Sequence, residues 1–186
     1  MPSKTEIYQI KVTLEDSKPP IWRRILVRSD TTLDKLHHIL QVVMGWEDYH
    51  LHQFIVGRTY YGEPDPDYDG FLEMHDERQV KLNQIAPGKG FKFRYEYDFG
   101  DSWLHQVLVE KTLPPEPGQY YPLCIEGRRA CPPEDVGGIW GYYDFLQAIQ
   151  DPNHPEHDEY LEWIGGEFDP EEFDLDEVNQ ALRTLR

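Results

Sequence analysis

Residues 91–99 alternate between aromatic and charged side chains, and this pattern restricts that part of the chain to an extended strand. The alternating positions are Phe91, Phe93, Tyr95, Tyr97 and Phe99 on one side and Lys92, Arg94, Glu96 and Asp98 on the other. Successive side chains of a strand point to opposite faces, so one face is apolar and the other charged. Gly100-Asp101-Ser102 supplies turn residues, and residues 103–111 predict the returning strand of an antiparallel hairpin. A loop of these three residues places Tyr97 opposite His105, which keeps the apolar faces together.

The remaining periodicity predicts an α+β fold. Residues 7–14 and 21–27 predict neighbouring antiparallel strands, residues 33–44 a helix ended by Gly45, and residues 51–56 a further strand. Residues 61–77 and 114–138 contain many Gly, Pro and Asp residues and predict loops, whereas the end of the chain reads as helices. We therefore expect a single domain over residues 1–186. Residues 1–113 form a mostly antiparallel sheet with one early helix packed on it, and residues 114–186 are loop-rich, then helical and acidic.

Charge and hydropathy exclude several classes of function. The formal net charge of −17 disfavours binding to phosphate backbones, so no duplex nucleic acid is expected as a partner. A local basic patch of Lys18, Arg23, Arg24 and Arg28 keeps nucleic-acid binding open as a third hypothesis. No apolar run approaches the roughly 18 residues of a membrane span, and the N-terminal residues lack the apolar stretch of a signal peptide. These features predict a cytoplasmic protein without a membrane partner.

Three histidines and both cysteines form a candidate metal site. His50 and His52 stand two apart on a predicted strand and so point the same way, and His105 stands on a second strand. Cys124 and Cys131 lie in a Pro-rich segment that can fold over that face. Neutral imidazole and thiolate suit zinc. The alternative is that the histidines are hydrogen-bonded sheet residues and the cysteines small buried side chains.

Two further constellations are interpreted as structural. Residues 97–105 contain Ser102, His105 and two aspartates, but no nucleophile elbow, so the aspartates are expected to shape the turn. Carboxylates between Asp65 and Asp76 follow the spacing of a calcium loop, but the flanking residues do not predict its helices. We interpret that segment as a polar turn.

Four separated motifs resemble one known family. They are PPIWRR (19–24), GW (45–46) with HLHQF (50–54), YDFGDSWLH (97–105), and Cys124 followed by CPPED (131–135), Gly137-Gly138 and Gly141-Tyr142. In this order they resemble the plasmid pRiA ORF-three-like proteins over nearly the whole chain. The resemblance implies a compact α+β fold and a free-standing domain of bacteria and archaea. It implies no particular activity.

The leading functional hypothesis is a binding or interaction module for a protein or small-molecule ligand. It rests on a wealth of aromatic residues without a complete catalytic set: Trp22, Trp46, Tyr60, Tyr61, Trp103 and Trp140. Exposed aromatic residues mark a ligand or partner surface, whereas buried ones belong to the core. The alternative is a metal-binding protein, such as a metal-dependent hydrolase, that uses the His/Cys set.

Overall fold

Eight strands form one sheet in the computed structural model, which describes residues 5–67 and 73–185. The strands are β1 (Ile7–Leu14), β2 (Trp22–Arg28), β3 (His52–Val56), β4 (Thr59–Gly62), β5 (Met74–Asp76), β6 (Lys92–Tyr97), β7 (Trp103–Leu113) and β8 (Leu123–Arg128). Their order across the sheet is β5-β4-β3-β6-β7-β1-β2-β8, and every neighbouring pair is antiparallel except β4 and β5. Together with the helices described below, this confirms the predicted α+β class.

The hairpin predicted from the aromatic alternation consists of β6 and β7, but the predicted register is wrong by two residues. Tyr95 pairs with His105, and Tyr97 pairs with Trp103. The connection contains five residues instead of three, because Asp98 and Ser102 both adopt left-handed backbone conformations, with φ of 63° and 57°. Strand β6 therefore ends at Tyr97. The Phe99 side chain leaves the apolar face and is 46% exposed.

The core lies between one face of the sheet and helix α1 (Leu33–Met44). Alternate residues of β1, β6 and β7 supply the sheet side: Tyr8, Ile10, Val12, Leu14, Phe93, Tyr95, Tyr97, Trp103, Val107 and Val109. The helix buries the apolar positions that its periodicity predicts, and it ends at Gly45, whose φ of 110° suits glycine. The opposite face carries charged residues that form ion pairs such as Arg24–Glu110 and Arg94–Glu15, together with apolar residues such as Leu26 and Leu108.

The second half of the chain covers the remaining edge of this core. It contains the helices α3 (Gly138–Gln150), α4 (His157–Ile164) and α5 (Leu175–Leu182), whereas the short helix α2 (Leu82–Ile85) precedes β6. The Asn179 side chain of α5 accepts a hydrogen bond from the Cys124 N–H and donates one to the Cys124 carbonyl, which fixes α5 against β8. None of the helices in the described ranges combines the length and apolar character needed to cross a bilayer.

The structure differs from the sequence prediction in the two segments expected to be loops. Strands β4 and β5 extend into residues 61–77, and β8 lies within residues 114–138. Strands β4 and β5 have only four and three residues, too few for a periodic signal, and the six residues of β8 (LCIEGR) do not alternate between apolar and polar side chains. The calcium-loop pattern falls partly on Asp69 and Gly70, which lie outside the described residues.

Candidate metal centre

The loop between α1 and β3 directs its polar side chains into two different places. The Asp48 N–H donates to Oε1 of Gln41 on α1, and Asp48 has a left-handed φ of 57°. The Leu51 carbonyl accepts a hydrogen bond from the Asp98 N–H at the end of β6. Strand β3 begins only at His52. His50 therefore stands outside the strand, and its imidazole is not constrained to the side on which His52 lies.

The loop between β6 and β7 fixes Asp98 at the edge of the core. Oδ1 of Asp98 accepts the N–H of Gly100 at 3.0 Å, and the Asp98 carbonyl accepts the N–H of Ser102 at 2.6 Å. These bonds close the turn around the Asp98 side chain, which is only 9% exposed. Oδ2 of Asp98 is thereby left to face His50.

The segment that precedes α3 lies directly against this loop. The Gly137 N–H donates to Oδ2 of Asp101 at 3.1 Å. At Gly138, where φ is 74°, a Cβ atom would lie 2.6 Å from the Asp101 carbonyl oxygen. Glycine is needed there for both reasons. The close approach brings Glu134 and Asp135 to the same place as Asp98.

One imidazole nitrogen meets three carboxylates there. Nε2 of His50 lies 2.8 Å from Oδ1 of Asp135, 3.5 Å from Oδ2 of Asp98 and 3.9 Å from Oε2 of Glu134. We call these four residues the His50 site. Ligand atoms of His50, Asp98 and Asp135 all lie within 4.8 Å of one another, as metal ligands must.

Two buried polar atoms of the His50 site lack hydrogen-bond partners among the described residues. They are Nε2 of His50 and Oε2 of Glu134. The 2.8 Å contact from His50 to Asp135 has the distance of a hydrogen bond but not its direction, so proximity alone does not satisfy the nitrogen. Oε1 of Glu134 accepts hydrogen bonds from the Tyr97 hydroxyl and the Glu47 N–H, both at 2.9 Å. Burial raises the pKa of the Glu134 carboxyl.

A second group of ligand atoms lies on the other side of the same loop. Ligand atoms of His37, Asp48 and His52 lie within 4.8 Å of one another, and we call these residues the His37 site. The imidazole rings of His37 and His52 are stacked, with centroids 3.4 Å apart. Nε2 of His37 lies 2.8 Å from Oδ1 of Asp48. Burial, followed by the neighbouring His52, lowers the pKa of His37 to about 4.

The structure separates the five residues of the predicted His/Cys set. His50 and His52 belong to different sites, and His105 belongs to neither. Nδ1 of His105 lies 3.0 Å from the Tyr95 carbonyl oxygen, and Nε2 accepts the indole N–H of Trp46 at 3.1 Å. Both nitrogens are therefore engaged in ordinary hydrogen bonds.

The two cysteines also lie outside both convergent groups. Burial raises the pKa of Cys124 to about 11 and that of Cys131 well above its ordinary value, although the charge of Arg23 opposes both shifts. Cys131 packs so closely on the end of α1 that a Cβ atom at Gly45 would lie 3.0 Å from its own Cβ. These are the environments of buried thiols.

Sequence reasoning missed His37, Asp48, Asp98, Glu134 and Asp135. A signal for His37 exists, because His37 and Gln41 are polar residues four apart on the face of α1 that is otherwise apolar. Both contact the Tyr95 hydroxyl. The acidic residues carry no comparable signal, because they come from loops whose approach depends on tertiary structure.

Exposed aromatic and apolar side chains surround the His50 site. Tyr49, Leu51 and Phe99, which adjoin His50 and Asp98 in sequence, are exposed. An open cleft of about 470 Å³ begins at Asp135 and is lined by Tyr160 and Trp163 together with glutamates of α4 and the residue before it. By contrast, Trp46 and Trp103 are buried in the core, and of the six aromatic residues emphasised in the sequence only Trp140 is largely exposed.

The chain matches one known protein family over nearly its whole length. The model of the plasmid pRiA4b ORF-3-like proteins matches residues 6–177. The chain belongs to this family. The sequence resemblance noted above is thereby confirmed, and the motifs that carry it supply all four residues of the His50 site: HLHQF, YDFGDSWLH and CPPED.

Two relatives extend the comparison. The uncharacterised protein y4hQ of Sinorhizobium fredii is 39% identical over 182 residues, which cover 96% of this chain and 92% of that protein. A crystal structure of a protein of unknown function, MM3350 from Methanosarcina mazei Go1, is 36% identical and superposes with a TM-score of 0.82. That match covers 95% of this chain and 98% of the other. The family fold therefore occurs in both a bacterium and an archaeon.

Proposed function

We propose that this protein binds a divalent first-row transition metal ion at the His50 site. The observation that carries the proposal is the pair of buried, unpartnered atoms, Nε2 of His50 and Oε2 of Glu134, facing the carboxylates of Asp98 and Asp135. Buried polar atoms without partners are rare in folded proteins and mark places where a water or an ion binds. A cation between these atoms satisfies both of them and offsets the repulsion among three carboxylates.

The donor set favours particular ions. One imidazole with two or three carboxylates suits zinc, manganese or iron(II) better than calcium or magnesium, which prefer oxygen ligands alone. The proposal keeps the metal-binding hypothesis of the sequence analysis, but carboxylates replace Cys124 and Cys131 as ligands. Three protein ligands leave a coordination position for water, and a metal lowers the pKa of such a water. A metal-dependent hydrolase is the enzymatic form of this proposal.

Calorimetric titration of chelator-treated protein with zinc and manganese tests the proposal. His50→Ala should weaken binding about tenfold or more, because it removes the nitrogen ligand. His75→Ala is the matched control, since His75 is an exposed histidine on the edge strand β5 whose ring contacts Tyr61. Equal metal affinity in the wild type and in His50→Ala would refute the site.

The cleft beside Asp135 favours a second role, the binding of an organic ligand. Its charged lining is entirely acidic, from Asp135, Glu156, Glu159 and Glu162, and its aromatic lining comes from Tyr160 and Trp163. Carboxylates and exposed aromatic rings together attract ammonium and guanidinium groups. This second role keeps the hypothesis of a binding module. The expected ligand is a cationic small molecule or peptide, and the expected location is the cytoplasm.

A pair of nearly isosteric probes tests the cleft. N-acetyl-arginine amide carries a guanidinium group, whereas N-acetyl-citrulline amide has a neutral urea in its place. The arginine derivative should shift the NMR signals of Trp163 and Tyr160, and added salt should weaken this effect. Glu159→Gln should weaken it too, whereas Glu116→Gln, at an exposed glutamate outside the cleft, serves as the control. Equal shifts with both probes would contradict recognition of the charge.

A further inference from the structure

We infer that the ligand of the acidic cleft is a basic segment of another polypeptide, which reaches across the His50 site to the exposed apolar side chains beside it. The inference rests on the proposed role of the cleft and names the partner that fits it. It does not depend on a metal ion at the His50 site.

Three exposed apolar side chains form a patch beside the His50 site, and we call them the apolar rim. Tyr49 and Leu51, the chain neighbours of His50, are 68% and 66% exposed, and the exposed Phe99 follows Asp98. The Leu51 carbonyl accepts the N–H of Asp98 at 2.8 Å, which brings the two segments side by side. Single exposed apolar residues are normal on any surface, whereas adjacent ones mark a protein interaction site.

The cleft and the apolar rim adjoin each other through Asp135. Oδ1 of Asp135 lies 2.8 Å from Nε2 of His50, and Asp135 also lines the cleft. His50 alone therefore separates the cleft from the two rim residues that flank it in the chain. An extended polypeptide advances about 3.3 Å per residue, so a segment of about five residues contacts both places. A single cationic group in the cleft does not reach the rim.

Helix α4, which forms one wall of the cleft, is itself only partly covered. None of its eight residues is fully buried. The rings of Tyr160 and Trp163 pack edge to face on Phe145 of α3, with centroids 5.5 and 5.9 Å away, and Trp163 nevertheless remains exposed. The cleft thus offers aromatic surface as well as charge to a polypeptide that lies in it.

The charge around the cleft favours a basic partner. No Lys or Arg occurs between Arg129 and Arg183, whereas this segment contains fifteen Asp and Glu residues. Within the described ranges, no Lys or Arg forms an ion pair with the four carboxylates that line the cleft. This uncompensated charge attracts Lys and Arg side chains and accelerates their approach. A second copy of the chain, with its net charge of −17, is repelled instead.

Three labelled peptides of equal length test the inference by fluorescence anisotropy with the full chain. The parent peptide has two arginines at its centre and two leucines at each end, so that leucines reach the rim in either chain direction. One derivative carries citrulline in place of arginine, and the other carries serine in place of leucine. The parent should bind about tenfold or more tightly than either derivative, and added salt should weaken its binding.

Two variants separate the rim from the cleft. Leu51→Ser, at an exposed residue just before β3, should weaken binding of the parent peptide about threefold or more and leave the serine peptide unaffected. Glu159→Gln should weaken both of these peptides and leave the citrulline peptide unaffected. Ile125→Ser is the matched control for Leu51→Ser and should change nothing, because Ile125 is an exposed aliphatic residue of β8, five strands from β3 in the sheet.

The outcomes distinguish this inference from the proposed role of the cleft. If the arginine derivative still shifts the Trp163 signals, but the parent peptide does not bind or binds no better than the serine peptide, the inference is overturned and the proposed role stands. Equal affinity of the parent and citrulline peptides, or no binding of any peptide or of the arginine derivative, overturns both. A wild-type dimer in light scattering that Leu51→Ser abolishes assigns the rim to a second copy and also overturns the inference.

Discussion

His105 is a histidine used as a core residue. Its side chain is fully buried, and its two nitrogens join the Trp46 indole to the Tyr95 carbonyl across the core. Burial lowers the pKa of His105 to about 4, so the ring is neutral at pH 7. The consequence is a dependence of stability on pH that can be tested at this one residue.

The free energy of unfolding should fall as the pH falls from about 6.5 to 4. Between these two pH values residue 105 of the unfolded chain is protonated, because its pKa there is the ordinary value near 6.5, whereas His105 of the folded protein stays neutral. The contribution of His105 to the free energy of unfolding is therefore complete above about pH 6.5, and at most about 3 kcal/mol of it is lost by about pH 4. Glutamine can accept from Trp46 and donate to Tyr95 without titrating, so His105→Gln should show a flatter dependence in urea titrations at pH 7 and 5. Parallel pH profiles for the two proteins would contradict this.

Arg23 holds the end of α1 on the sheet through backbone groups alone. Its buried guanidinium donates to the carbonyl oxygens of Val43 and Met44 at the end of the helix and to those of Trp22 and Arg128. Arg23→Met should lower the free energy of unfolding by about 3 kcal/mol, since buried carbonyls lose their donors.

Arg78→Met is the control for Arg23, because Arg78 is exposed and, within the described part of the chain, forms an ion pair only with the nearby Asp76. Such a surface pair contributes little to stability, because solvent screens the two charges. Denaturant unfolding of the two variants provides the measurement. Equal losses of stability in Arg23→Met and Arg78→Met would show that the hydrogen bonds of Arg23 to carbonyl oxygens stabilise the fold no more than a surface ion pair does.

The connection between β6 and β7 and the segment before α3 form a single unit, and Gly138 sets their spacing. A Cβ atom there meets the Asp101 carbonyl oxygen at 2.6 Å, whereas one at Gly165, which also has a positive φ, meets nothing within 4 Å. Gly165→Ala therefore reports the backbone cost alone, about 1 kcal/mol. Gly138→Ala should cost more and should also weaken metal binding at the His50 site, since it moves Asp98 away from Asp135. Calorimetric titration measures metal binding, and denaturant unfolding measures stability, for both variants. Equal losses in Gly138→Ala and Gly165→Ala would show that the spacing set by Gly138 is unimportant.

The elements predicted from sequence are those with long, self-contained patterns. Strand β1, helix α1 and the β6–β7 hairpin each carry several periods of apolar residues, so their existence follows from the sequence. The hairpin register does not, because two left-handed residues, Asp98 and Ser102, lengthen the turn. Strand β8 was missed because its pairing with β2, which is remote in sequence, supplies the stabilisation that its own pattern lacks.

The candidate site was predictable only in part. His50 and His52 were selected by residue type, but the expectation that they point together treated His50 as part of the strand, which begins only at His52. Their neighbours in the structure, Asp135 for His50 and His37 for His52, come from other elements of the fold. No spacing rule links residues that meet only after the sheet has formed.

The charge of the protein as a whole determines how it meets other polyelectrolytes. Its net charge is −17, and the basic patch considered above is largely neutralised. Arg23 is buried, Arg24 pairs with Glu110 and Glu126, and Arg28 pairs with Asp30. Little positive potential remains for a phosphate backbone.

We therefore predict no complex with duplex DNA at micromolar protein and about 150 mM salt, measured by fluorescence anisotropy of a labelled duplex. Salt provides an internal control. Proteins that bind DNA through basic patches bind more tightly as salt is lowered, because bound phosphates release more counterions. For this chain, lower salt unscreens the repulsion between two polyanions, so binding should remain absent at low salt. A complex that strengthens at low salt and is lost in Arg24→Gln would show that the basic patch acts despite its acidic partners.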